Sequence, residues 1–160
     1  MKINELRSTD RLLPVPTRAT GFVLSYVSAH ATRAYARAVA AIGLTPVGVG
    51  VLEILASGPL KQAELSSRLE VFQPTMVGLI NELEGAGLVE RRPHPTDRRA
   101  FEVHLTPAGH AKLADAQTVS ARVDAEVFGA LTPRDRADLD RLLGQLAQAA
   151  RTTESEEDSQ

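Results

Sequence analysis

Four guanidinium groups fall between positions 91 and 99, at Arg91, Arg92, Arg98 and Arg99, around the stretch Pro93-His94-Pro95-Thr96-Asp97. The formal net charge of the chain is -2, so this density is local and does not reflect overall basicity. A guanidinium is a planar fork of donors matched to phosphate oxygens, which makes a polyanion the natural partner of such a cluster. The plainer alternative is a solvated charged face, which fits at least one of Arg91, Arg92 and Arg98.

Other chemistry finds little footing. The chain has no cysteine, which excludes disulfides, thiolate metal sites and thiol redox sensing. No glycine-rich phosphate loop occurs, carboxylates are scattered along polar helix faces, and no serine sits in a nucleophile pattern. His30, His94, His104 and His110 lack metal-ligand spacing, and Pro95 and Pro107 make the hairpin region a poor cage. The expectation is no catalytic residue, no cofactor and no metal.

The elements that position the arginines follow from patterning. With 160 residues, 43% of them hydrophobic, the chain can build one domain with a core, or a smaller core with dimerisation helices. No apolar run approaches the ~18 residues of a membrane span. The N-terminus does not read as a signal peptide, so no membrane association is expected and the expected compartment is the cytoplasm. Residues 1–18 contain Pro14 and Pro16 and read as an irregular extension with a short helix around Leu6 to Leu13. Residues 19–42 read as a long helix, with Phe22, Val23, Tyr26 and Val27 on one face and Gly43 at its end. Thr45-Pro46 caps a second helix carrying Val47, Val51, Leu52 and Leu55, stopped by Ser57-Gly58-Pro59. A short helix about Lys61 to Leu69, a turn at Glu70 to Phe72 and a helix about Pro74 to Ala86 follow, then two short strands (Leu88-Val89 and Phe101 to Leu105) joined by the arginine-bearing turn. Thr106-Pro107 starts a helix to about Phe128. Thr132-Pro133 with Asp135 starts the last, carrying Leu139, Leu142, Leu143 and Leu146. The closing ESEEDSQ has four acids and no base, and reads as part of a disordered tail over 151–160.

Short helix, turn, helix and hairpin is the winged helix-turn-helix order, a mainly α (α+β) fold. One helix fits the major groove, and a hairpin beside it reaches the narrow, electronegative minor groove, where arginine is favoured. At residues 64–109, ELSSRLEVFQPTMVGLINELEGAGLVERRPHPTDRRAFEVHLTPAG resembles the core of the MarR family of bacterial transcription regulators. The resemblance rests on the wing motif Asp97-Arg98-Arg99, on Leu105-Thr106-Pro107-Ala108-Gly109, on Leu83-Glu84-Gly85-Ala86-Gly87-Leu88-Val89 and on Gln73-Pro74-Thr75. With the flanking helices it covers about residues 19–150. It implies a homodimer built by helices 19–45 and 107–150, a DNA-binding module over 46–106, a pseudo-palindromic double-stranded operator, and a small aromatic or lipophilic effector, usually with repression.

The resemblance makes Arg99 the minor-groove arginine and Asp97 its orienting ion-pair partner, although Asp97 also suits the turn alone. Arg91, Arg92, Arg98 and, at the end of the preceding helix, Arg68 are candidate phosphate contacts. Gln73 is suited to adenine, and Thr75 and Val77 to thymine methyls, with a cap and a core position as their plainer readings. Tyr26, His30 and Arg33 stand about a turn apart and are candidate effector contacts; the plainer reading makes Tyr26 core and the other two interface or surface. Several positions depart from the family pattern. Phe72 stands where relatives carry Ser or Thr, Gly78 where an arginine is common, and Asn81 and Glu82 where an Asp and a base are usual. Helix 74–86 therefore has no Lys or Arg. That motivates a second expectation, a dimeric small-molecule-binding or protein-interaction module that no longer reads DNA specifically.

Overall fold

Threonine–proline pairs, Thr45-Pro46, Thr106-Pro107 and Thr132-Pro133, start three of the helices. In the computed structural model, which describes residues 19–94 and 100–157, Thr45 Oγ1 accepts from Gly48 N at 3.0 Å and Thr106 Oγ1 from Gly109 N at 3.0 Å. Each cap satisfies an otherwise orphaned N–H, while the proline that follows loses no bond there. The element order is α1 (Thr20–Ala40), α2 (Pro46–Ala56), β1 (Leu60–Lys61), α3 (Gln62–Arg68), α4 (Gln73–Gly85), β2 (Val89–Pro93), β3 (Phe101–Leu105), α5 (Pro107–Phe128) and α6 (Pro133–Glu157). Gly43 at φ 77° and Gly87 at φ 71° turn the chain out of α1 and α4 through left-handed backbone, which glycine enters without steric cost.

The strands form one antiparallel sheet in the order β1-β3-β2. Val89 stands opposite Leu105 and Arg91 opposite Val103, while Leu60 of β1 also stands opposite Val103. Two-residue β1 escapes the sequence reading, because its pairing with β3 gives so short a segment its identity. Leu52, Leu65, Met76, Ile80, Val89 and Val103 are essentially fully buried, joining α2, α3, α4 and the sheet into one core. Each such side chain stabilises by roughly 1.5–3 kcal/mol relative to exposure. Below this module α1 packs along α5.

Two expectations change. The last helix runs to Glu157, so residues 151–157 continue α6 where a disordered tail is expected; each added residue gains one backbone hydrogen bond once a helix exists. Tyr26 is 38% exposed, so it is not a core side chain of the single chain. The irregular extension 1–18 and residues 158–160 lie outside the described residues. Among the described residues helix α6 has no substantial packing against the other elements, and Leu142 and Leu146 are 48% and 57% exposed.

Candidate nucleic-acid interface

The turn between α3 and α4 sets the angle of α4. Buried Ser66 donates from Oγ to the Val71 carbonyl, and Glu70 adopts φ 52° to make the bend. Helix α4 then buries Met76, Ile80 and Leu83 and leaves Gln73, Thr75, Val77 and Gly78 exposed. The helical period turns Thr75, Val77 and Gly78 away from the buried stripe, whereas Gln73 shares the side of Met76 and Ile80 and is exposed because it stands in the first turn. Val77 is 43% exposed and so is not core. Thr75 is not the cap either: the N-cap residue is Phe72, whose side chain makes no capping hydrogen bond. All three candidate base-contacting residues, Gln73, Thr75 and Val77, are thus presented to solvent at one end of α4. Arg68 is exposed in the last turn of α3.

The wing arginines divide. Arg91 lies on the strand face that also carries Val89, and its side chain turns toward α4. Its Nη1 makes a charge-assisted hydrogen bond to Glu84 Oε2, its Nη2 donates to Asn81 Oδ1 at 2.7 Å and to Gln62 Oε1 at 3.3 Å, and its backbone N donates to Glu84 Oε1 at 3.1 Å. The phosphate contact expected of Arg91 gives way to an internal tie between wing, α3 and α4, because three acceptors already occupy the fork. Glu84, Asn81 and Gln62 were missed by sequence reasoning; the seven-residue step from Glu84 to Arg91 across the Gly87 turn is the signal that could have found the main pair. Arg92, by contrast, lies on the outer face and pairs with exposed Glu90 of its own strand. That pair is open to water, so exchange for a phosphate is inexpensive. Beside it Glu102 stands 3.4 Å from His94 Nε2 and 3.5 Å from His104 Nε2. Asp97, Arg98 and Arg99 lie outside the described residues.

An expected result follows for the tie. Arg91→Ala should lower stability by about 1–2 kcal/mol, since charged hydrogen bonds at a half-buried site are lost. Arg91→Lys should recover little, because one ammonium cannot reproduce the fork. Urea unfolding of the two variants and of Glu84→Gln checks this, and three unchanged midpoints would show that the tie contributes nothing.

A hollow of about 330 Å³ lies between α1 and α5, lined in part by Tyr35, Ser120, Asp124, Val127 and Phe128. Tyr26, His30 and Arg33 are exposed on α1 and do not line it. Among the described residues no helix is long and apolar enough to cross a membrane.

Known proteins share this arrangement. The family model described as MarR family matches residues 42–100. A Thauera aromatica protein, described as a regulatory protein for the hcr operon, is 34% identical over 128 residues, covering 79% of this chain and 77% of its own length. Among solved structures, the transcriptional repressor CouR bound to a 23-mer DNA duplex superposes with a TM-score of 0.71 at 30% identity, covering 94% of this chain and 98% of that one. A Mycobacterium tuberculosis protein in complex with salicylic acid superposes with a TM-score of 0.66 at 29% identity, covering 81% and 97%.

Proposed function

The chain belongs to the MarR family, and from that membership we propose that it is a homodimeric, ligand-responsive transcriptional repressor that binds a pseudo-palindromic double-stranded operator in the cytoplasm. The observation that carries the reading is the solvent-facing N-terminal end of α4, with Gln73, Thr75 and Val77, held beside the wing by Arg91. In this reading α4 enters the major groove, and Gln73, Thr75 and Val77 meet base edges there. The wing reaches the adjacent minor groove with Arg99, oriented by Asp97, while Arg68, Arg92 and Arg98 meet phosphates. Arg91 positions the wing against α4. No enzymatic step is assigned to the chain.

The effector is a small aromatic or lipophilic molecule bound near α1 and α5, where it changes the spacing of the two DNA-reading modules. Support comes from the apolar-walled hollow between those helices and from the relative crystallised with salicylic acid. Tyr26, His30 and Arg33 do not line that hollow, and in this reading they would meet only an effector that also reaches the exposed face of α1.

Fluorescence anisotropy against the chain's own upstream DNA, beside a scrambled duplex at two salt concentrations, tests the reading. The expected result is preference for the native fragment, with Arg99→Ala weakening it by roughly 10- to 100-fold. Each true phosphate contact adds about -0.9 to the slope of log affinity against log salt. Equal, salt-sensitive binding to both fragments would replace this reading with a dimeric ligand- or protein-binding module.

A further inference from the structure

Resting on the reading of α4 as the groove-entering helix, we propose that this chain selects its half-sites through the 5-methyl groups of thymine, with Phe72 as a specificity-determining residue at the N-terminal end of α4. Phe72 is 76% exposed, the most exposed large hydrophobic side chain among the described residues. It is the N-cap residue of α4, at φ -55° and ψ 131°, and contributes no hydrogen bond to the helix end. A phenyl ring there does nothing for the fold that a small polar cap would not do better. What the ring does have is position: the N-terminal residues of a recognition helix are the ones that meet base edges.

The rest of α4 narrows what it can read. The commonest specific contact in the major groove is Arg or Lys to guanine, and α4 has neither. Cytosine is read by a carboxylate, and α4 has two. Glu84 is engaged by Arg91. Glu82 is exposed but stands about 13 Å along the axis from Gln73, away from the reading end. What remains at that end is the amide of Gln73, suited to adenine, and the apolar surfaces of Phe72, Thr75 and Val77, which have thymine's methyl as their only apolar counterpart among the base edges. Adenine and thymine belong to the same base pair, so the polar and apolar contacts point to one half-site chemistry, an A·T core.

The test starts from selection of bound duplexes out of a randomised pool by the full chain. The sequences that emerge are resynthesised with deoxyuridine in place of each half-site thymine, which deletes the methyl and leaves the hydrogen-bonding pattern intact. The proposal expects A·T-centred half-sites. Each critical deoxyuridine should weaken wild-type binding by about fourfold, the effect of one buried methyl. Phe72→Ala should lose the thymine-over-deoxyuridine preference at one half-site position and keep it where Thr75 or Val77 meets the methyl, while Phe72→Leu keeps part of the preference at that one position. Phe72 is exposed, so its variants should melt with the wild type, which separates lost reading from lost fold. G·C-centred half-sites, or equal affinity of wild type for both duplexes, would overturn the proposal while leaving a sequence-reading regulator in place. A pool that shows no enrichment would overturn that regulator and the present proposal together.

Discussion

Gly109→Ala is expected to lower the stability of the chain by about 3 kcal/mol or more, at the upper end of what overpacking costs. Gly109 sits in the first turn of α5, and a Cβ built on it would lie 2.1 Å from the Leu88 carbonyl oxygen and 2.5 Å from Leu105 Cδ1. The leucine side chain can rotate; the carbonyl cannot easily move. Leu88 O accepts from Thr106 N at 3.1 Å, and Thr106 Oγ1 lies 3.1 Å from it and 2.7 Å from Gly87 O. One added methyl therefore pushes against the joint where the end of α4, β2, β3 and α5 meet. At roughly 2–4 °C per kcal/mol for a chain of this size, the melting temperature should fall by about 6–12 °C. Gly78→Ala is the matched control: its Cβ would meet nothing within 4 Å, and helix propensity then favours alanine by up to about 1 kcal/mol. Equal melting temperatures for Gly109→Ala and wild type would show that the joint is not rigid.

The double substitution Leu142→Glu, Leu146→Glu is expected to convert a dimer into a monomer and to weaken operator binding by roughly 10²- to 10⁴-fold, the gain that linking two half-site contacts provides. Both leucines are largely exposed in the single chain, whereas Leu139 and Leu143 on the same helix are half-buried. Helix α6 is nonetheless held at a defined corner. Arg136 donates to Asp124 of α5 at 2.9 Å and to Asp140 of α6 at 3.1 Å, and its guanidinium lies 4.2 Å over the Phe128 ring. A helix with an apolar stripe, fixed at an angle but uncovered by the described residues of its own chain, is suited to a second copy. Since the substituted positions are exposed, the secondary structure of the chain should survive, so sedimentation at micromolar concentration reads association alone. A dimer that persists with unchanged DNA affinity would move the interface away from α6.

Much of this organisation is legible along the chain because it is local. Thr45-Pro46 and Thr106-Pro107 carry their caps within three residues, and the spacing of Met76, Ile80 and Leu83 marks the buried side of α4 without reference to any other element. Helical order and the hairpin follow from such signals, and so does the exposure of Thr75, Val77 and Gly78 off the buried stripe; that of Gln73 follows from its place in the first turn. The wing's arginine cluster is equally visible as a count of residue types, but its division of labour is not. Arg91 and Arg92 are adjacent and chemically identical; strand alternation sends one toward Glu84, Asn81 and Gln62 and the other to the outer face with Glu90.

Residue types and their spacing thus determine the winged helix-turn-helix order, the caps and the family. Tertiary structure alone decides which arginine becomes an internal tie, why a side chain at position 109 meets the Leu88 carbonyl, and that β1 exists at all. Each of these depends on atoms brought together across the fold, from Gln62 to Arg91, from Leu88 to Gly109 and from Leu60 to Val103. No periodicity within a single segment encodes such distances, because they arise only when separate elements pack on a common core.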